Sequence, residues 1–302
     1  MDKCFLVTGA TGFLGSHVVK KLLAEGQKVV ILKRSFSNTK RLATELSKVK
    51  SYDIDKLDDF AAVFREQHID VVIHTATCYG RQGEAVEQIY DVNLKFPLKL
   101  LELALRFNTD TFFNTDTFFN TDTFFNTDTI LSKYLNWYAL SKKQFSEIGQ
   151  QFAHMGKINF IDAKLEHMYG EDDSNTKFVT FMLEALQNNQ DELKLTVGEQ
   201  RRDFIYVDDV VDAYWKILTS QSNDKRYQQY EVGTGKTISI KELVMLAKSI
   251  TKSQTKLVFG AIPYRENEIM NSKANVESLL NLGWQAKVDI ETGIRKIVGA
   301  EK

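Results

Sequence analysis

An α/β fold organised around a doubly wound parallel sheet is predicted for this 302-residue chain by three observations. Short apolar runs alternate with helical patterns through the N-terminal third, the order that produces parallel strands joined by crossover helices. The first run, Cys4 to Val7, leads through Thr8-Gly9-Ala10-Thr11-Gly12 into a helical pattern from Phe13 to Ala24. The run Asp70-Val71-Val72-Ile73-His74-Thr75-Ala76 is apolar on both faces, as a central parallel strand is.

Gly9, Gly12 and Gly15 are spaced G-x-x-G-x-x-G. The first glycine allows a tight turn, the second lets backbone approach a pyrophosphate, and the third lets the helix pack on the strand. An ordinary strand-turn-helix joint could carry such a trio. Its position after the first strand, with the β-branched run Lys28 to Leu32 following Glu25-Gly26, favours a Rossmann-like dinucleotide site. Ligands of this fold sit beyond the carboxyl ends of the strands. The expected cofactor contacts are therefore Gly9, Thr11, Gly12, Phe13 and Leu14 at the first turn, Arg34 after the second strand, Asp53 and Ile54 after the third, and Thr75 and Ala76 after the fourth.

The second strand ends in Leu32-Lys33-Arg34-Ser35, where an acid would select a free ribose 2′-hydroxyl and an arginine would accommodate a 2′-phosphate. No acid stands there, so NADPH is the expected cofactor and reduction the expected direction. A helix is expected over 38–48, a short strand over Val49 to Tyr52, and a helix over Asp58 to Gln67. His74 reads as a strand residue with a satisfied ring, since no second His or Cys accompanies it.

Composition excludes several classes. A net charge of −1 without a basic stretch argues against nucleic-acid or membrane-surface binding. No apolar segment reaches the roughly 18 residues of a membrane span, and the N-terminus lacks a signal-peptide core, so a cytoplasmic protein is expected. The two cysteines, Cys4 and Cys78, read as reduced packed thiols, and no spacing suits a metal.

Glu84 to Arg106 is the longest helical pattern. Asn93 inside it, near Pro97, marks either a local break with a hydrogen-bonding duty or a solvent-facing position. Phe-Asn-Thr-Asp-Thr then occurs four times, from Phe107, Phe113, Phe119 and Phe125, with a period of six. Solenoid units are longer, so this is a local duplication within one strand-loop segment. After it, Tyr138 and Lys142 stand four apart at the start of a helix running through Phe145, Ile148 and Phe152, hence on one face. A nearby ammonium and an oxidised nicotinamide ring would draw the phenol down from its ordinary pKa of about 10 and suit it to acid/base work.

These residues carry a family resemblance. Thr8-Gly9-x-x-Gly12-x-x-Gly15, Asn93, a Thr after the fifth strand, and Tyr138-x-x-x-Lys142 resemble an extended short-chain dehydrogenase/reductase of the nucleotide-sugar epimerase and dehydratase group, over nearly the whole chain. Lys164-Leu165-Glu166-His167-Met168-Tyr169-Gly170 is similar to its R-x-x-N-x-Y-G segment, with Lys for Arg and His for Asn. The run Gly198 to Asp209 is similar to its G-x-x-x-R-D-F-x-Y-V-D-D block, and Arg265-x-x-Glu268 to its last nucleotide-binding signature. The resemblance implies that Arg202 and Arg265 pair with a diphosphate, that Glu268 reaches a ribose, and that Asn93, Tyr138, Lys142, Leu165 and His167 lie at the cofactor. It also implies that Tyr79, Arg81, His167, Lys177, Phe178, Arg202, Arg265 and Glu268 meet a nucleotide-sugar substrate; His167 reads equally well as a core residue.

Within the group, Cys78-Tyr79-Gly80-Arg81, the segment Lys164 to Gly170, Val197 to Gln200, Phe259 to Ile262 and Asn267 to Met270 resemble the branch of CDP-abequose and CDP-paratose synthases, with a lean to abequose. That resemblance implies reduction of the 4-keto group of CDP-4-keto-3,6-dideoxyglucose by NADPH in bacterial O-antigen synthesis. Tyr138 would protonate the developing alkoxide, Lys142 would hold the nicotinamide ribose, and a strand-end Thr would bond the carbonyl oxygen. Counting forward from Asn93, a short helix-strand loop selects Thr111 to Thr115 as the strand and Thr115 as that residue. Counting back from Tyr138 selects Thr121 or Thr127.

Other readings keep the fold. A dehydratase or 4-epimerase would recycle tightly held NAD, but family dehydratases carry Thr-Asp-Glu where every copy here reads Thr-Asp-Thr, and Lys33-Arg34 disfavours an NAD epimerase. A non-catalytic dinucleotide-binding protein would tolerate loss of Tyr138 or Lys142, and both are present. The expected organisation is a dinucleotide domain over 1–163 and a smaller C-terminal substrate-binding lobe over 164–302, with 203–235 returning to the sheet and a homodimer as the assembly considered. In that lobe, Thr176 to Asn188 reads as a helix, Ser239-x-x-Glu242 as a capping box, Asn275 as the cap of a helix ending at Leu282, and Trp284 as core.

Overall fold

The computed structural model describes residues 3–57, 59–108, 123–220 and 226–299. The chain opens with β1 (Cys4–Thr8), α1 (Phe13–Ala24), β2 (Lys28–Lys33), β3 (Lys50–Asp53), α2 (Ala61–Glu66) and β4 (Val71–His74). It continues with α3 (Val86–Tyr90), α4 (Phe96–Asn108), β5 (Thr123–Thr129), α5 (Trp137–His154), β6 (Asn159–Leu165) and β7 (His167–Tyr169). Then come α6 (Phe178–Gln187), β8 (Glu192–Lys194), β9 (Arg201–Arg202), β10 (Phe204–Tyr206), α7 (Val207–Thr219) and β11 (Tyr227–Val232). The last elements are β12 (Ile238–Ser239), α8 (Ile240–Thr251), β13 (Lys256–Val258), α9 (Glu277–Asn281) and α10 (Ile290–Ile297).

Seven strands form one sheet in the order β11-β6-β5-β4-β1-β2-β3, the doubly wound arrangement in which strand order reverses beside β1. β1 pairs parallel with β2 and β4, β2 with β3, and β4 with β5. Residues 1–164 and 218–230 form one compact unit, and residues 165–217 and 231–302 a second. The segment 218–230 lies inside the span 203–235 assigned to the sheet above.

Aromatic packing ties α5 to the sheet. Phe124 stacks on Phe160 with centroids 5.7 Å apart and meets Phe145 edge-on at 5.7 Å. Gly149 allows this approach, because a Cβ there would lie 2.1 Å from the Phe160 ring. In the second unit Gly293 admits Tyr169 in the same way. Ser239 and Glu242 cap α8 reciprocally, as their spacing predicts. Asn275 accepts from Glu277 N–H at 3.1 Å ahead of α9, and Trp284 is buried.

Four expectations are corrected. The helix expected over 38–48 is two single 3₁₀ turns, Lys40–Leu42 and Leu46–Lys48: Asn38 bonds the Lys40 N–H, and Leu42 alone supplies a buried anchor. The helix expected over 58–67 is confined to α2, because Asp59 accepts from Ala61 N–H and starts it there. The long pattern 84–106 is broken by one π-helical turn, Asp91–Lys95, between α3 and α4. Pro97 has no N–H to return to the Asn93 carbonyl, so the ladder widens at that point. Finally, the strand beside β4 is drawn from the last repeat copy, Thr123–Thr129, rather than from 111–115. Identical copies make this register degenerate, and the short link from β5 to Asn136, which caps α5, selects the final copy. Thr115 and Thr121 lie outside the described residues.

Candidate active site

Backbone builds the first part of the site. Gly9 has φ +67°, and a Cβ there would lie 2.6 Å from the Ala76 nitrogen, so the β1 turn and the end of β4 approach more closely than any side chain permits. A Cβ on Gly15 would meet the Gly9 carbonyl oxygen at 2.1 Å, which seats α1 against the turn. Gly12 is the N-cap of α1 with no side-chain cap bond, and the first turn carries no acid. These free N–H groups and the positive helix end face the position where the glycine motif places a phosphate. Thr75 donates to the Thr8 carbonyl at 2.7 Å and fixes the neighbouring strand end.

At the ends of β2 and β3 the side chains divide the work. Lys33 is ion-paired with Asp53, whereas Arg34 is exposed with its guanidinium 4.8 Å from the Phe36 ring. Among the described residues no carboxylate pairs with Arg34. Of the two cations that pointed to a 2′-phosphate, only Arg34 keeps its charge for a ligand. Ile54, next to this pair, is half-buried.

Asn93 is fully buried within the π turn. It accepts from Cys78 N–H at 2.8 Å, donates to the Cys78 carbonyl at 2.8 Å, and donates to Ser141 Oγ of α5 at 3.1 Å. Of the two readings above, the local break with a hydrogen-bonding duty is the observed one. The turn widens so that this amide can hold the loop after β4 against α5.

That loop brings Tyr79 to Tyr138, ring centroids 5.0 Å apart, with the Arg81 guanidinium 5.1 Å over Tyr79. Burial pushes the Tyr138 phenol well above its ordinary pKa; Tyr79 and Asp128 push the same way, while a Thr129 hydrogen bond and Arg81 oppose them. Lys142 is 2% exposed, and burial lowers its ammonium to about 8. Among the described residues it has no hydrogen-bond or ion-pair partner, and the charges of Asp128 and Asp162 oppose the effect of burial on it. The free α1 N-terminus, the glycine cradle and this ammonium together fit a dinucleotide.

His74 is buried and kept neutral by desolvation, its Nδ1 2.8 Å from Thr8 Oγ1; Nε2 has no hydrogen-bond partner among the described residues. Asp128 is buried and ion-paired with Lys143 at 2.7 Å. Asp162 accepts from Asn126 at 2.8 Å and Ser146 at 2.7 Å, and burial beside Asp128 raises its carboxyl to about 6.

The second unit holds a separate cluster. Arg202, 8% exposed, donates to Glu268 at 2.5 Å. Buried Glu166 accepts from Ser272 Oγ at 2.8 and 2.9 Å and lies 3.0 Å from His167 Nδ1. His167 is half-buried, edge-on to Phe204, while Arg265 is exposed. Leu165 ends β6, and Lys177 caps α6 one residue before Phe178. The residues that sequence reasoning missed are Thr129, Lys143, Ser141 and the Glu166–Ser272 pair. The second Lys of Ser141-Lys142-Lys143 was the available signal for one of them.

A model described as the NAD dependent epimerase/dehydratase family matches residues 5–233. The chain belongs to that family. Among its members, a CDP-abequose synthase of Salmonella muenchen is 35% identical over 303 residues, covering 100% of this chain and 99% of that protein. A CDP-abequose synthase of Salmonella typhimurium is 37% identical over 299 residues, covering 97% and 96%. The fold matches a UDP-glucose 4-epimerase from Thermotoga maritima solved with UDP-glucose, at TM-score 0.82 and 22% identity over 98% of each chain. It also matches a UDP-glucose 4-epimerase of Thermus thermophilus in complex with NAD, at TM-score 0.80 and 22% identity over 98% of each chain. No described helix of this family member is long and apolar enough to cross a membrane.

Proposed function

We propose that this chain is an NADPH-dependent 4-ketoreductase of a nucleotide-linked 4-keto-6-deoxy sugar, converting CDP-4-keto-3,6-dideoxyglucose to CDP-abequose for O-antigen synthesis in the cytoplasm. The observation that carries the reading is the end of β5, which reads Thr127-Asp128-Thr129 where a family dehydratase has Thr-Asp-Glu. Thr129 has no carboxylate with which to remove a proton for dehydration. Full-length similarity to CDP-abequose synthases supports the same reading.

Bound NADPH supplies the hydride to C4. Tyr138, held protonated by burial, gives its proton to the 4-oxygen as that oxygen gains charge. Thr127, the counterpart of Thr115 in the copy that forms β5, hydrogen-bonds the same oxygen. Lys142 holds the ribose hydroxyls, an arrangement that satisfies its buried ammonium. Arg34 takes the 2′-phosphate. Arg202 leaves Glu268 to hold the diphosphate of the sugar nucleotide with Arg265, Glu268 reaches the ribose, and Tyr79, Arg81, His167, Lys177 and Phe178 contact the remainder of the substrate.

The experiment is to incubate the protein with CDP-4-keto-3,6-dideoxyglucose, follow NADPH absorbance, and determine the C4 configuration of the product by NMR. Stoichiometric NADPH oxidation with the abequose configuration is expected; no oxidation, or a paratose product, overturns the assignment. The Lys33–Asp53 pair, by removing one cation from the 2′-phosphate position, favours a second reading as an NAD-dependent 4-epimerase. Its signature is isomerisation of a nucleotide sugar with no net change in cofactor absorbance.

A further inference from the structure

In the second unit an unbroken run of hydrogen bonds joins Arg202 to His167. Arg202 Nη1 donates to the Arg201 carbonyl at 2.9 Å, and Ser272 N–H donates to the same carbonyl at 3.1 Å. Ser272 Oγ donates to Glu166, lying 2.8 and 2.9 Å from its two oxygens, and Glu166 Oε2 lies 3.0 Å from His167 Nδ1. Backbone holds each member in place. Glu166 N–H bonds the Val232 carbonyl at 3.0 Å, His167 N–H the Asp203 carbonyl at 3.2 Å, and Asp203 N–H the Ser272 carbonyl at 3.0 Å.

Proton accounting fixes the ring. The Glu166 side chain is fully buried, and an ionised carboxylate accepts hydrogen bonds without giving any. Ser272 has one hydroxyl proton and gives it to Glu166. The neutral His167 ring therefore carries its proton on Nδ1, directed at Oε2, and its lone pair on Nε2. The His167 side chain is 34% exposed, its ring stands edge-on to Phe204 with centroids 5.8 Å apart, and Nε2 has no hydrogen-bond partner among the described residues. An oriented acceptor is thus left open in the same bonded cluster as the Arg202 guanidinium.

We propose that Glu166 and Ser272 are positioning residues that fix His167 Nε2 as the hydrogen-bond acceptor for the C2 hydroxyl of the substrate hexose. The proposal rests on the reading of Arg202 as a diphosphate ligand and of the substrate as a CDP-linked 4-keto-3,6-dideoxy sugar. That hexose lacks oxygen at C3 and C6, holds a carbonyl at C4, and uses C1 and C5 in the glycosyl link and the ring. C2 carries its one free hydroxyl. It is also the hydroxyl next to the carbon that bears the diphosphate, so an acceptor clustered with the diphosphate-binding guanidinium meets it first. Hydrogen or fluorine at C2 would leave the ring nitrogen unpaired beneath the ligand, which makes this cluster a determinant of specificity at C2.

The first test reads the proton. Imidazole nitrogen resonances are recorded in histidine-labelled protein on the alkaline side of the ring's titration, with His167 assigned through His167→Phe. The Nδ1–H tautomer is expected, and Glu166→Gln, whose amide N–H donates to Nδ1, is expected to move the proton to Nε2. A wild-type ring protonated at Nε2, or a tautomer unmoved by Glu166→Gln, would overturn the positioning role.

The second test reads the hydroxyl, by calorimetric titration with CDP, CDP-glucose, and CDP-glucose analogues carrying hydrogen or fluorine in place of the C2 hydroxyl. For a neutral hydrogen bond, both analogues are expected to bind about three- to tenfold more weakly than CDP-glucose. His167→Phe alone strands the Glu166 charge, so the variant used is His167→Phe/Glu166→Gln. In it the penalty is expected to fall below about twofold, with CDP affinity within about twofold of wild type. Equal binding of the three sugars by the wild-type protein, no binding of CDP-glucose, or a penalty undiminished in the double variant would overturn the assignment of the hydroxyl. Failure to reduce the keto sugar, with the penalty present, would instead defeat the proposed reaction and leave His167 as the reader of C2.

Discussion

Lys33 at the end of β2 is ion-paired with Asp53 at the end of β3, so the two strand ends neutralise each other beside an exposed Arg34. Cofactor choice then rests on Arg34. NADPH is expected to bind more tightly than NADH, and Arg34→Asp to abolish the preference, a loss of roughly 10- to 100-fold for charge-assisted bonds to phosphate. Lys33→Ala is expected to change it far less. Fluorescence titrations with both cofactors check this, and equal affinity of the wild-type protein for the two would remove the argument.

Tyr138→Phe keeps the ring against Tyr79 and deletes the proton donor. A fall in kcat of about 10²- to 10⁴-fold is expected, with NADPH affinity within about twofold. Near-native turnover in this variant would show that another group supplies the proton.

Lys142 is expected to cost the folded protein stability at neutral pH. Burial lowers its ammonium to about 8, below the unfolded value of about 10.4, so the unfolded chain binds more protons between those limits and stability rises with pH across that window. Lys142→Met should therefore be inactive yet more stable at pH 7 by about 2–3 kcal/mol, the advantage closing toward pH 10. Thermal unfolding of both proteins at pH 7 and pH 10 measures it. A destabilised variant at pH 7 would mean that the ammonium has a strong partner within the protein.

In the second unit, Glu268 competes for the guanidinium that a diphosphate would use. Glu268→Gln weakens the bond to Arg202 and is expected to tighten CDP binding several-fold, whereas Arg202→Met abolishes it, an asymmetry expected of charge-assisted bonds. Calorimetric titration with CDP decides; parallel effects of the two changes would place the diphosphate elsewhere.

Thr127→Ala is expected to reduce activity by about 10²-fold, as loss of one oxyanion donor does, while Thr115→Ala and Thr121→Ala are tolerated. Deleting one six-residue unit is expected to leave the unfolding midpoint within a few degrees, since the copies that remain supply the same strand sequence. Loss at Thr121 with tolerance at Thr127 would show the strand drawn from the preceding copy.

The glycine motif, β1 to β4, α1 and the helix carrying Tyr138 and Lys142 were legible because each is fixed by local pattern: periodicity, glycine spacing or a cap. What was not legible depends on partners distant in sequence. Lys33 reads as an available cation until Asp53, twenty residues on, is folded beside it. Asn93 reads as a weak helix residue until Cys78 and Ser141 close around it. Thr129 and Lys143 read as a repeat letter and a spare lysine, because neither has a role until β5 lies against α5. The choice among repeat copies failed for a different reason: pattern cannot rank identical segments, and the downstream cap at Asn136 decided it.

The repeat that supplies β5 has an even period, and even periods preserve the alternation of faces along a strand. Every copy also spans a whole number of codons. Replication slippage that adds or removes a copy would thus leave the reading frame intact and keep Phe, Asn and Asp on one face of the strand and the Thr pair on the other. The strand pattern is therefore indifferent to copy number.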